Sequence, residues 1–238
     1  GGAGAGNYSL TQPSLTANIT SKALTVTGLT GVNKEYNGNS TATATGTAAL
    51  SGIIGSDVVT LSGTPSYTFT QSGVGTGIGI TTTGYTLGGA AAGNYSLTQP
   101  SLTANITTKT IAITPNSNQR KIYGESDPVW TYTFSGDIAG QTPGFDNTLT
   151  RAQGESVGAY AIGLGSLSLK DNGLFKATNY SLVLTSGVDF TIGKAPLVAN
   201  VNADSKFVTQ TDATGYAGLT YSGFKFGEGP SVLNTTNL

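Results

Sequence analysis

Residues Gly154–Gly158 read GESVG, which fits the G-x-S-x-G pattern of a serine nucleophile on a sharp strand-to-helix turn. That chemistry needs a base to take the hydroxyl proton. Histidine, the usual base near neutral pH, is absent from the chain. No helical spacing follows the serine, so the five residues read as a turn between LTR (149–151) and AYAI (159–162). GVGTGIG (73–79) suggests a loop cradling a phosphate, but Ile78 stands where the third glycine of G-x-G-x-x-G belongs. No helix follows to present its N-terminus to an anion, so a glycine-lined strand is expected, with Val74, Thr76, Ile78 and Ile80 on one face and a bare face open to close packing. Asp57, Asp127, Asp137, Asp146, Asp171, Asp189, Asp204 and Asp212 are scattered, with no D-x-D-G spacing to gather oxygens around calcium. Cysteine is also missing, which removes thiolate chemistry and disulfides.

Two further chemistries rest on lysine, asparagine and aromatic residues. A lysine can condense with an asparagine carboxamide, losing ammonia, when a buried acid assists. Lys22 with Asn94 or Asn105, and Lys109 with Asn179, are topologically suited pairs, but the simpler reading is a solvated lysine guarding a strand edge. Asn-X-Ser/Thr sequons stand at Asn7, Asn18, Asn39, Asn94, Asn105, Asn179 and Asn234. Aromatic faces can stack on sugars. Tyr8, Tyr95 and Tyr180 recur at one fixed place, however, and Tyr36 and Tyr123 at another, which points to core positions. Trp130 has no such counterpart, and its alternation with Tyr132 and Phe134 suggests a core face as well.

The elements that carry these residues repeat. AGNYSLTQPSLTANIT occupies 5–20 and recurs letter for letter at 92–107, and NYSL appears again at 179–182. Fifteen residues after each of these asparagines (Asn7, Asn94, Asn179) stands a lysine, Lys22, Lys109 or Lys194; twelve further on stands another, Lys34, Lys121 or Lys206. The unit is therefore 85 to 87 residues long, large enough for its own two-layer core. Ser51-Gly52, Ser135-Gly136 and Ser222-Gly223 mark a turn at an equivalent point in each unit. LTANI, ALTVT, TIAIT and YSLVLT alternate with period two, which is strand spacing, and no ten-residue stretch has helical spacing. The chain starts without methionine and inside a copy of the repeat, so it reads as a window on a longer protein.

KEYNGNSTATATGTAALSGIIGSDVVTLSG (34–63) resembles the YDG domain of large bacterial haemagglutinin-like exoproteins, with Tyr36-Asn37-Gly38 in place of Tyr-Asp-Gly. KIYGESDPVWTYTFSG (121–136) resembles the MBG domain, a mostly-β, glycine-rich module, through Tyr123-Gly124 and Asp127-Pro128. LTYSGFKFGE (219–228) is similar to MBG modules too, with Val208 where a tyrosine is expected. The resemblance implies tandem modules of a very long secreted or surface-attached protein; it implies no ligand and no catalytic residue.

Composition agrees with such a role. Eleven basic against twelve acidic residues leave a net charge of −1, with no basic stripe for nucleic acid or anionic membranes. Charged residues are only 10%, so the 39 threonines, 22 serines and 35 glycines must carry the surface. No run of about 18 apolar residues marks a membrane span. The expected fold is all-β: tandem small Ig-like β-sandwich domains in an elongated rod, or alternatively β-grasp-like units. The expected parts are a closing hairpin of a preceding repeat (1–21), a YDG-like domain (22–108), an MBG-like domain (109–193) and the first half of a further MBG-like repeat (194–238). The function read from this is a structural spacer in an extracellular or cell-surface bacterial array, not an enzyme and without cofactor, catalytic or metal site. Its partners are neighbouring repeats, with other copies in a fibre and glycans or surfaces as further candidates. The alternatives are a glycan- or host-protein-binding adhesin module and a filament subunit joined by strand complementation. Ice or mineral binding by TATATGT (41–47) is a remoter option, because the threonine spacing is not sustained.

Overall fold

A computed structural model describes residues 2–185, 187–203, 208 and 218–233. Lys206, Asp204, Asp212 and Asn234 lie outside the described residues. The chain divides into two compact units, Gly1–Thr107 and Thr108–Leu238. Both are built of β-strands, and among the described residues the only helical pieces are 3-10 turns of three residues. A β-grasp would need a helix across its sheet, and no such helix is present among them.

The first unit has seven strands: β1 (Lys22–Gly31), β2 (Lys34–Glu35), β3 (Ala44–Ser51), β4 (Thr60–Phe69), β5 (Gly75–Gly88), β6 (Tyr95–Thr98) and β7 (Leu102–Thr107). They form two sheets, ordered β3-β1-β6 and β2-β7-β5-β4. In the first, β1 runs antiparallel to β3 and parallel to β6, with Lys22 opposite Tyr95. In the second, β2 runs parallel to β7, with Lys34 opposite Ile106. Period-two alternation buries Leu24 and Val26 from one sheet against Phe69, Ile78, Ile80 and Ile106 from the other.

The second unit begins with β8 (Lys109–Pro115), β9 (Arg120–Ile122), β10 (Tyr132–Ser135), β11 (Gly144–Asp146), β12 (Thr150–Arg151), β13 (Gly158–Gly163), β14 (Ser168–Lys170), β15 (Tyr180–Leu184) and β16 (Asp189–Gly193). Its principal sheets, β10-β8-β15 and β12-β13-β16-β9, reproduce the plan of the first unit strand for strand. β15 is parallel to β8 with Tyr180 opposite Lys109, and β9 is parallel to β16 with Lys121 opposite Ile192. The antiparallel pair β11–β14, which is not consecutive in the chain, is extra. Ile111, Ile113, Leu149, Phe175, Phe190 and Ile192 form the fully buried core. The unit closes with β17 (Val198–Val201) antiparallel to β18 (Leu219–Ser222).

The Ser-Gly turns are equivalent. Ser51, Ser135 and Ser222 pair with Thr25, Ala112 and Val198. The following Gly52, Gly136 and Gly223 all have φ near +100° (104°, 99°, 111°). At Gly136 a Cβ would overlap the Thr110 carbonyl oxygen, so glycine is required there by space as well as by dihedral angle.

Two expectations change. Of the GVGTGIG glycines, Gly75 and Gly79 do have side chains packed close to them (a Cβ would meet Gln71 at 3.2 Å and Thr70 at 3.4 Å), but the alternation breaks at Gly77, which has open space and φ of 61°, at a bulge between Gly75 and Ile78 in the β5–β7 ladder. An unpaired extra residue needs this freedom, and Asn105 Oδ1 accepts its N–H (2.8 Å). Residues 8–20 form no strand among the described residues, although 95–107 has the same sequence and forms β6 and β7. Tyr8 and Ile19 are exposed (85% and 102%), whereas Tyr95 and Ile106 are buried. A strand is defined by its partner, and this copy has none beside it.

Candidate functional site

The lysines twelve residues after each repeat start, Lys34 and Lys121, lie at the same point of the plan and become the centres of two different cages. Sequence reading gave their spacing but no role; the spacing was the signal that could have found them.

In the first unit, Lys34 Nζ donates to Asn37 Oδ1 (3.0 Å), to Asn39 O (2.6 Å) and Oδ1 (3.2 Å) and to Thr41 O (3.0 Å). It also stands 5.4 Å from the centre of the Phe69 ring. Asn37 and Asn39 each accept a backbone N–H two residues on (3.3 and 3.0 Å), which turns 37–41 around the ammonium. All these acceptors are neutral, and burial holds the Lys34 pKa below the usual lysine value.

In the second unit, Lys121 Nζ meets Glu155 Oε2 at 2.5 Å and Asp127 Oδ1 at 2.8 Å. Arg151 joins the same carboxylates: Nε to Asp127 Oδ2 (2.9 Å), Nη2 to Asp127 Oδ1 (3.0 Å) and Nη2 to Glu155 Oε1 (2.6 Å). Its Nη1 donates to the carbonyls of Ala152 and Gly154, and its guanidinium lies 5.1 Å from the Tyr160 ring and 5.3 Å from Phe190. The cations are buried, with side chains 4% and 7% exposed, while Asp127 and Glu155 keep 33% and 52%.

The electrostatics follow from this arrangement. Burial opposes the charge on Lys121, but hydrogen bonds and attraction from Asp127 and Glu155 outweigh it, and the pKa lies above the usual value. For Asp127 burial is likewise overcome, by Arg151 and Lys121, and the carboxyl lies below its usual range. Hydrogen bonds from Lys121 and Arg151 lower Glu155 as well, and the bonds to Asp127 raise Arg151. The four groups hold charge in place; none is poised to pass a proton near neutral pH. They tie β9 and β12 to the loop after Tyr123-Gly124 and to the GESVG loop. That loop is the expected turn between strands, and Gly154 takes φ of 144° in it.

The repeated tyrosines differ from one another. Tyr95 is buried, donates to Asp57 Oδ2 (2.6 Å) and accepts from Ile54 N (3.1 Å). Tyr180 donates to Gln141 Oε1 (2.8 Å) and stacks on Phe175 with ring centres 4.4 Å apart. Tyr36 is buried, but Tyr123 is only half-buried, and Tyr8 is exposed. The Trp130, Tyr132, Phe134 row is a half-covered face rather than a core face: Trp130 meets Phe190 (5.1 Å), Tyr132 and Phe134 meet Phe145 (5.6 and 5.3 Å), and Phe134 stays exposed.

Of the aspartates, Asp57 is taken by Tyr95, Asp146 by Lys170 (3.0 Å), and Asp171 by Lys176 (3.0 Å) and the Ala177 N–H (2.9 Å). No group of three or more His, Cys, Asp or Glu that could hold a metal occurs among the described residues. Among the condensation candidates, register sets Lys22 and Lys109 opposite Tyr95 and Tyr180, the neighbours of Asn94 and Asn179, but Lys22 is exposed rather than in an apolar core. Among the sequon asparagines, Asn39 is engaged by Lys34 and Asn105 by Gly77.

Two tandem β modules on one plan define a repeat protein of mostly-β domains. Residues 20–104 match the YDG domain and residues 111–191 match the MBG domain (YGX type), so the chain carries the two families in tandem. No curated protein and no solved structure matches the chain.

Proposed function

We propose that this chain is a spacer section of a long extracellular or cell-surface bacterial array of the adhesin type, whose neighbouring repeats are its first partners and which performs no catalysis. The observation that carries this reading is the repetition of one strand plan across a joint of a single residue, Thr108, between β7 and β8. A joint that short has too few free dihedrals to act as a flexible tether. Each module buries its own core, and a surface with few charges and much threonine and serine keeps the array in water. No helix among the described residues is long and apolar enough to cross a membrane. The division we propose is the closing segment of a preceding repeat (1–21), the two modules (22–108 and 109–193) and the start of another repeat (194–238). Small-angle scattering of the 238-residue chain is expected to give a particle much longer than it is wide; a compact particle sinks the reading.

One observation favours a second reading, a module that also contacts glycans. A shallow cavity of about 400 Å³ lies beside Trp130, with Asp127, Gln153 and Glu155 on its wall. Glycan-array binding abolished by Trp130→Ala supports this second role, and an empty array removes it.

A further inference from the structure

Tyr123 stands where the chain leaves its module: its N–H donates to the carbonyl of Gly193, the last residue of β16 (2.9 Å). Tyr36 occupies the same place in the first unit, donating to Thr107, the last residue of β7 (2.9 Å). Each signature tyrosine is thus fixed by backbone at an exit point, and the next repeat begins within a few residues of it.

At Tyr123 the covering residues are seen. The Tyr123 hydroxyl donates to Glu228 Oε1 (2.7 Å) and its ring meets Phe226 edge-on at 5.3 Å. The aliphatic stem of Lys225 lies over Gly124, where any Cβ would overlap it. Phe226 holds a left-handed backbone (φ 51°) and Gly227 follows at 75°, a turn that aims both neighbours at the socket. Lys225–Glu228 belongs to the loop after the Ser222-Gly223 turn, within the segment that follows Lys194. The corresponding loop of the first unit carries Ile53 and Ile54, 37% and 58% exposed, an apolar tip of the same kind.

We propose that the Tyr-Gly signature is a socket by which one repeat grips the next. The tyrosine offers a hydroxyl to a carboxylate and a ring edge to an apolar side chain, and the bare glycine offers room for an aliphatic stem. The partner is the loop after the Ser-Gly turn of the following repeat. The proposal rests on reading the chain as a string of repeats, and it gives Tyr123 a role although it is not core.

Hydrogen exchange on the 238-residue chain tests it. Glu228→Gln and Phe226→Ala change only the gripping loop and leave both principal sheets untouched. Each is expected to lower the protection of Leu219–Ser222 roughly tenfold, with β8 and β16 unchanged. Tyr123→Phe should do the same, and combined with Glu228→Gln should add little, because both act on one hydrogen bond, the first by removing its donor and the second by taking the charge off its acceptor. Unchanged protection in the three variants overturns the socket. Equal loss in β8 and β16 overturns it as well, since the residues would then serve the module's own fold. A compact wild-type particle in scattering sinks the spacer reading by itself, whatever exchange shows.

Discussion

Lys34 and Lys121 occupy one position in two modules that share a strand plan, yet one sits among neutral oxygens and the other among carboxylates. Both lysines pair opposite the isoleucine one residue before the end of the last strand, Ile106 or Ile192. The plan therefore fixes where the ammonium is, and the loops fix what it meets. In the first unit a short asparagine loop wraps it; in the second, two loops bring Asp127 and Glu155, and Arg151 fills the space between them. Position is inherited from the sheet, while charge balance is a local property that can change without touching the sheet.

The largest test of this contrast is Arg151→Ala. It removes the bonds that hold both carboxylates beside buried Lys121 and leaves charge partly uncompensated. Trp130, the only tryptophan, stands in the second unit and reports its unfolding there. We expect a loss of about 2 kcal/mol, less than for a sealed ion pair because the carboxylates remain in contact with water. Lys34→Met in the first unit should cost about 1 kcal/mol, read from exchange of the β7 amides, because neutral acceptors regain water when the ammonium goes. Equal costs would break the contrast.

Acid is the next test. Asp127 and Glu155 have folded-state pKa values below their ordinary ones. Their contribution is present above the ordinary carboxylate range and is lost as pH falls through the folded values. The Trp130-reported stability should therefore decline from about pH 4.5 downward, and Arg151→Ala should flatten that decline. The Lys34 cage has no carboxylate and contributes no such slope. A decline of the same steepness in the variant would refute the assignment to this cluster.

Much of this was legible before any coordinates, and what was not has a physical reason. Period-two alternation in ALTVT and TIAIT gave the buried Leu24, Val26, Ile111 and Ile113, because burial in a strand follows its local pleat. Ser-Gly spacing gave three equivalent turns, because a left-handed dihedral leaves its mark on residue type. The identical stretches 5–20 and 92–107 could not be told apart, because pairing with β1 and β5 is not local and no residue within the stretch records it. The cage around Lys121 escaped for the same reason: Asp127, Arg151 and Glu155 are 24 and 4 residues apart in sequence and meet only when β9, β12 and two loops assemble. Its one trace was the lysine interval, which marks the repeat and assigns Lys121 no role.

The smallest expected effect is the sharpest test. Lys34 titrates below the usual lysine value and Lys121 above it, and side-chain carbon shifts should resolve the two. Asn37→Asp turns Tyr36-Asn37-Gly38 into Tyr-Asp-Gly and places a carboxylate where an amide oxygen now lies 3.0 Å from Lys34 Nζ. The folded Lys34 pKa should rise, because a nearby negative charge favours the ammonium. At present its lowered value means that the folded first unit binds fewer protons than the unfolded chain between the folded and ordinary values, so stability gains slightly as pH rises there. In the variant the sign reverses: stability is present below the ordinary lysine value and lost as pH climbs through the raised one. The gain at neutral pH should be no more than about 0.5 kcal/mol, since the cage is open to solvent. A Lys34 that still titrates low beside an aspartate would mean that the sheet position, and not the loop, sets the charge.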